Sequence, residues 1–241
     1  MKNIFTILIF FFLFAKTAFA QVYDVGKSKE WSNVNDSEYK SEGISTLKNL
    51  DFSKIWQDPN YNVLGIIGEN YQKLGIKYIS IIKDPENPNV YLVFGKSIVK
   101  NNVCEFQGKI DIIQNYVQKE PLIPRYKTKG YIVANCIFYE NSLQNNSGYF
   151  KGVLRTDYGI NNDNSLEYPD DGDEPDSNCN NGFVGSWTDY KTKKSKLSHW
   201  GSDFVPMSND LNVSQSVGDF IPNNKYQNNG WNTDFRKDWW K

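Results

Sequence analysis

The chain holds one histidine, His199, and three cysteines, Cys104, Cys136 and Cys179. A single imidazole excludes a zinc site built from several histidines, and any relay that passes a proton between two of them. His199 follows Ser198 directly, the wrong relation for a general base to reach its serine, and no Gly-x-Ser-x-Gly elbow is present. Neither Gly-x-Gly-x-x-Gly nor a Walker loop occurs, so no phosphate-cradling turn is encoded.

Carboxylates and aromatics remain. The stretch 167–176 reads EYPDDGDEPD, and its Asp170, Asp171, Asp173 and Asp176 offer the oxygen ligands that calcium prefers. Asp176-x-Asn178-x-Asn180 begins like an EF-hand loop, but Asn181 stands where that loop has Gly and Trp187 where it has Glu. A solvated acidic loop is the simpler reading. Glu105, Glu140, Asp157 and Asp189 could supply a glycoside-hydrolase pair, which requires two carboxylates ~5–9.5 Å apart. Asp157 and Asp189 take similar places in LRTDY and WTDY, which favours structural equivalence over catalysis. Flat aromatic faces beside amides suit sugars or peptide partners. On that ground Tyr190, His199, Trp200 and Trp231 are the candidate ligand-binding residues. Packing is the competing role for the tryptophans, and it is favoured for Trp187 and Trp231.

The elements that must position these groups are strands. Residues 1–20 come first and read as an address: Lys2, the apolar run Ile4–Ala15, then Ala18-Phe19-Ala20 as a cleavage site. That run is too short for a helix crossing ~30 Å of hydrocarbon. Export to the periplasm or the extracellular space is expected, with no transmembrane segment after cleavage. The formal charge of −1 leaves no basic footprint for nucleic acid. Residues 21–62 form a polar N-terminal segment with a short helical stretch around 44–56. From residue 63 the pattern changes to period two. Ile76–Lys83 and Val90–Val99 flank the turn DPENPN. In Val103–Ile113, Cys104, Phe106, Gly108, Ile110 and Ile112 face one way, with Glu105, Gln107, Lys109 and Asp111 opposite. Tyr131–Glu140 and Tyr149–Ile160 repeat this, as half-buried antiparallel strands do.

A motif recurs on one face: Phe106-x-Gly108-x-Ile110, Phe150-x-Gly152-x-Leu154 and Phe183-x-Gly185-x-Trp187. Glycine weakens a strand, so its recurrence predicts close packing where strands coil strongly. The fold class is therefore all-β: a small antiparallel barrel, strongly curved sheet or sandwich over residues 63–241, a lipocalin-like meander. Long irregular C-terminal loops are expected from about 191. Cys104 and Cys136 lie in strand-like runs and are the preferred disulfide pair, with two buried thiols as the alternative. Cys179 lies in a polar loop.

Several blocks resemble a family of exported bacterial proteins of unknown function: GENYQKLGI (68–76), YLVFGKSIVKNNVCEFQGKI (91–110), GYFKGVLRTDY (148–158) and NNGFVGSWTDYK (180–191). HWGSDFVPMSNDL and GDFIPNNKYQNNGW extend the likeness, which spans roughly residues 64–231. The family block has Cys-Asn before Trp-Gly and Arg-Ile before Pro, where this chain has Ser198-His199 and Phe204-Val205. The resemblance implies an exported β protein, and a Cys179 that has lost a partner, but no chemistry. The expected function is a non-catalytic binding or interaction module for a small ligand, a glycan or a protein partner, inhibitor and immunity types included. The alternative is a carboxylate-based hydrolase acting on glycans. No cofactor is expected beyond calcium.

Overall fold

The computed structural model describes residues 31–32, 38–57, 63–120, 125–169, 180–202, 204–208, 210–214 and 220–241. The expected signal peptide, the four aspartates 170, 171, 173 and 176, and Cys179 lie outside the described residues.

Period-two sequence becomes strand throughout. The strands are β1 (Tyr39–Glu42), β2 (Val63–Ile67), β3 (Gln72–Lys83), β4 (Val90–Val99), β5 (Asn102–Gln118), β6 (Tyr126–Glu140), β7 (Gly148–Asn161), β8 (Leu166–Glu167), β9 (Asn180–Asp189) and β10 (Ser195–Ser202). β2, β3, β4, β5, β6, β7, β9 and β10 each pair antiparallel with the next, and β10 returns to β2. The result is a closed meander, an uneven ring whose strands run from five residues to seventeen. Following partners from Ile112 through Ala134, Leu154, Phe183, Trp200, Gly65, Leu74 and Val99 leads back to β5 at Asn102, about ten residues from the start, the stagger that tilts the strands of a closed sheet. β1 adds to β5 and β8 to β7 outside the ring.

Inward positions carry the core. Phe106, Phe138, Phe150, Phe183 and Trp200 are each at most 1% exposed. Phe183 stacks on Trp200 at 3.7 Å between centroids and 12° between planes. The recurring glycines make room for this. Gly152 pairs with Gly185 across β7 and β9, and a Cβ on Gly185 would lie 2.7 Å from the Gly152 Cα and 2.7 Å from the Phe183 Cζ. Backbone and ring thus occupy the space a side chain would need.

The N-terminal segment closes one end. A 3₁₀ turn (Ile44–Leu47) and one helical turn, α1 (Ser53–Trp56), fall within the short helical stretch expected around 44–56. Phe52, Ile55 and Trp56 insert into the core, and the Trp56 indole donates to Thr156 Oγ1 at 2.8 Å. The other end is closed around Glu140, which accepts from Ser97 Oγ (2.5 Å), Trp187 Nε1 (2.9 Å) and the Gly148 amide (2.8 Å). Burial raises its pKa and these three donors oppose the shift.

Two expectations need correction. Cys104 and Cys136 do not form a disulfide; both are buried free thiols. They share the inward face as expected, but Cys136 pairs with Ile110, six residues beyond Cys104 on β5. At 3.3–3.4 Å per residue that offset is about 20 Å, against a bridging limit of about 7 Å between Cα atoms. The irregular C-terminal region also starts later than 191, because Ser195–Ser202 is β10, the strand that closes the ring. Its sequence, SKLSHWGS, hides this: burial of both faces over residues 198–202 removes the alternation.

Candidate functional site

Apolar side chains pack the interior of the described ring, and three clefts are bordered by residues of its outer wall and ends. The four candidate ligand-contact residues fall in three places. Trp200 is an interior core residue, which places it with packing. His199 faces outward beneath the chain that follows β10, 3% exposed, with Nδ1 3.1 Å from the Pro206 carbonyl oxygen. Burial pushes its pKa down to about 4, so it is a neutral imidazole at physiological pH. Trp231 belongs to a second apolar layer outside the ring, with Ile66, Tyr71, Val205 and Leu211, and its indole donates to the Tyr71 carbonyl at 2.8 Å. Only Tyr190 remains half-exposed on the surface, and it is not beside the other three.

Tyr190 leads to the first surface of interest. Its ring lies 6.1 Å from Tyr149, and Tyr149 lies 5.9 Å from Tyr139, with interplanar angles of 34° and 38°. The register explains the row: Phe94 pairs with Gln107, Gln107 with Tyr139, and Tyr139 with Tyr149. All are outward positions on successive strands, so their side chains align across the sheet. Beside them opens a cleft of about 560 Å³, lined by Phe94, Glu105, Gln107, Tyr139, Asn141, Ser142 and Tyr190. Tyr139 is 49% exposed, an open aromatic face bordered by amides and a hydroxyl.

Glu105 and Glu140 both border this cleft, yet their carboxylates do not converge. Glu140 faces inward onto Ser97 and Trp187, while Glu105 faces outward and pairs with Lys96 at 3.3 Å. Adjacent strand positions of opposite facing separate them through the wall. Asp157 is held by Arg155 at 3.1 Å, and Asp189 accepts from the Lys191 and Thr192 amides in a turn at the opposite end of the ring. Their likeness in sequence is not matched by a shared environment, and each has a structural partner.

A second surface lies along the C-terminal strap, residues 220–241, which runs over the outside of β2 and β3. Lys73 anchors it. Its ammonium donates to the Thr233 carbonyl at 2.8 Å and sits 5.4 Å from the Trp231 ring and 5.0 Å from Phe235. Burial lowers the Lys73 pKa, and the exposed Asp234 carboxylate, 3.6 Å away, acts in the opposite sense. Phe235 rests on Gly75, where a Cβ would approach it to 2.8 Å. Lys77 lies 5.1 Å from the Trp240 ring. Clefts of about 560 and 680 Å³ open on the two sides of the strap.

Sequence reasoning missed Tyr139, Tyr149 and Lys73. The two tyrosines carried a signal, being large aromatics at the wet positions of alternating strands. Lys73 carried none, because only the strap makes it a buried cation. Among the described residues no three His, Cys, Asp or Glu side chains gather to hold a metal ion, and no helix is long and apolar enough to cross a membrane. Comparison of the chain with protein-family models, curated proteins and solved structures gives no match.

Proposed function

We propose that this protein is an exported, non-catalytic binding module whose ligand, a neutral glycan, lies across the Tyr139–Tyr149–Tyr190 row. The observation that carries this reading is the row itself. Three tyrosine rings stand about one sugar ring apart, Tyr139 and Tyr149 on paired antiparallel strands and Tyr190 in the turn after β9, with Gln107, Asn141 and Ser142 alongside. An aromatic face takes the C–H side of a sugar, and neighbouring amides and hydroxyls take its hydroxyl groups. A wall of paired strands holds these groups in place before binding, so little ordering cost opposes association. The packed interior supports an outer rather than an internal site.

Affinity electrophoresis of the purified protein through gels containing laminarin, xylan or soluble chitin oligomers tests the proposal. Retardation by at least one polymer is expected, and Tyr149→Ala should weaken it roughly tenfold, in line with the loss of one stacked aromatic. Mobility unchanged in every polymer, or retardation indifferent to Tyr139→Ala and Tyr149→Ala, would refute it.

A further inference from the structure

The clefts beside the strap gather more cationic than acidic side chains. They are bordered by five cationic side chains, Lys73, Lys77, Lys100, Arg236 and Lys237, and by two carboxylates, Asp234 and Asp238. The whole chain, by contrast, has a formal charge of −1. Both carboxylates are already engaged, Asp234 by Lys73 and Asp238 by Lys241 at 2.8 Å. Lys73 and Lys77 spend their charge against Trp231, Phe235 and Trp240. Lys100, Arg236 and Lys237 have no acidic partner among the described residues. Trp239 is half-exposed between them and borders both clefts, and Asn101 and Asn228 add amide groups to the wall of the smaller one.

We infer that the strap forms a second binding site, separate from the tyrosine row, and that it takes an acidic polysaccharide built from uronic acid units. Arg236, Lys237 and Lys100 meet the carboxylates, Arg236 by the planar two-point contact that a guanidinium makes. Trp239 takes a sugar face, and Asn101 and Asn228 take hydroxyl groups. A simple polyanion would need the cations alone. The half-exposed indole and the amides beside the cations are what point to a sugar. The seat is firm because the strap is pinned by buried and half-buried contacts: Trp231 to Tyr71, Gln72 to the Asn229 carbonyl at 2.7 Å, and Phe235 over Gly75.

The test is isothermal titration of the full chain with polygalacturonate and alginate, beside dextran and polyglutamate, at low and at physiological salt. Polygalacturonate or alginate should bind, and more weakly at higher salt, since the charges sit near solvent. Arg236→Gln with Lys237→Gln should lower the affinity at least tenfold without changing the thermal midpoint, because both side chains are exposed. Trp239→Ala should weaken the polyuronates about tenfold and leave any polyglutamate binding unchanged. Tyr149→Ala should leave polyuronate binding intact, which separates this site from the one proposed above. Absence of polyuronate binding would overturn the inference. Equal affinity for polyglutamate, or indifference to Trp239→Ala, would overturn it too, reducing the strap to a non-specific basic surface.

Discussion

Acid should weaken this fold through His199, and the size of the effect follows from its burial. The imidazole sits 3% exposed under the chain after β10, and its pKa falls from 6.5 to about 4. The unfolded chain therefore takes up a proton near pH 6.5 while the folded chain does not until about pH 4. Over that window the unfolded state binds more protons, so stability falls as pH falls. A difference of roughly 2.5 pKa units corresponds to about 3 kcal/mol once both transitions are passed, of which about 2 kcal/mol appears between pH 7 and pH 5. That is a large share of the 5–15 kcal/mol typical of a whole domain. The measurement is urea unfolding of the wild type and His199→Gln at pH 7, 6 and 5. Glutamine cannot titrate, and its amide can still donate to the Pro206 carbonyl. The carboxylates contribute alike to both proteins, so the difference between the two curves isolates His199. The wild type should lose about 2 kcal/mol relative to the variant on going from pH 7 to pH 5. A difference constant across the three pH values would refute the buried, neutral histidine and the packing of the segment above it.

Two further perturbations test the architecture. Gly185→Ala should destabilise by about 1–3 kcal/mol, because its methyl would meet the Lys151 carbonyl oxygen at 2.3 Å and the Gly152 Cα at 2.7 Å, backbone atoms that cannot turn aside. Gly43→Ala, which meets only Ser45 Oγ at 3.5 Å, is the control, and equal urea midpoints for the two would contradict the β7–β9 approach. Cys104 and Cys136 should resist alkylation in the native protein and react in denaturant, since burial raises the Cys104 thiol to about 11 and holds the Cys136 thiol well above its ordinary value. A Cys104–Cys136 cross-linked peptide in a non-reducing digest would show the β5–β6 register to be wrong.

Much of the wall was legible because a half-buried strand writes its facing into the sequence. Cys104, Phe106, Ile110 and Ile112 are buried as their alternation required, and two of the three Phe-x-Gly copies meet glycine to glycine, Gly152 against Gly185. The strands that close the ring were not legible. β2 (VLGII) is too short and uniformly apolar to alternate, and β10 is buried on both faces near its end. Trp200 invited a ligand-contact reading from its aromatic, polar surroundings in sequence, yet neighbours in sequence say nothing about the ring of phenylalanines it stacks within.

By itself the sequence determined the class and the inventory: an all-β chain, one histidine, no nucleophile motif, carboxylates and aromatics as the material for any site. Periodicity and composition are local properties, and a strand's inward and outward faces are decided within a few residues. The tertiary structure alone decided which groups meet. It carried Cys104 away from Cys136, turned Glu105 and Glu140 to opposite sides of one wall, aligned tyrosines from two hairpin strands and a turn into one row, and laid a C-terminal strap over Lys73. Each of these depends on strand register and on contacts across as many as 160 residues of chain, as between Lys73 and Thr233. Register is a property of two strands at once, set by how the whole core packs, and no single stretch of sequence contains it.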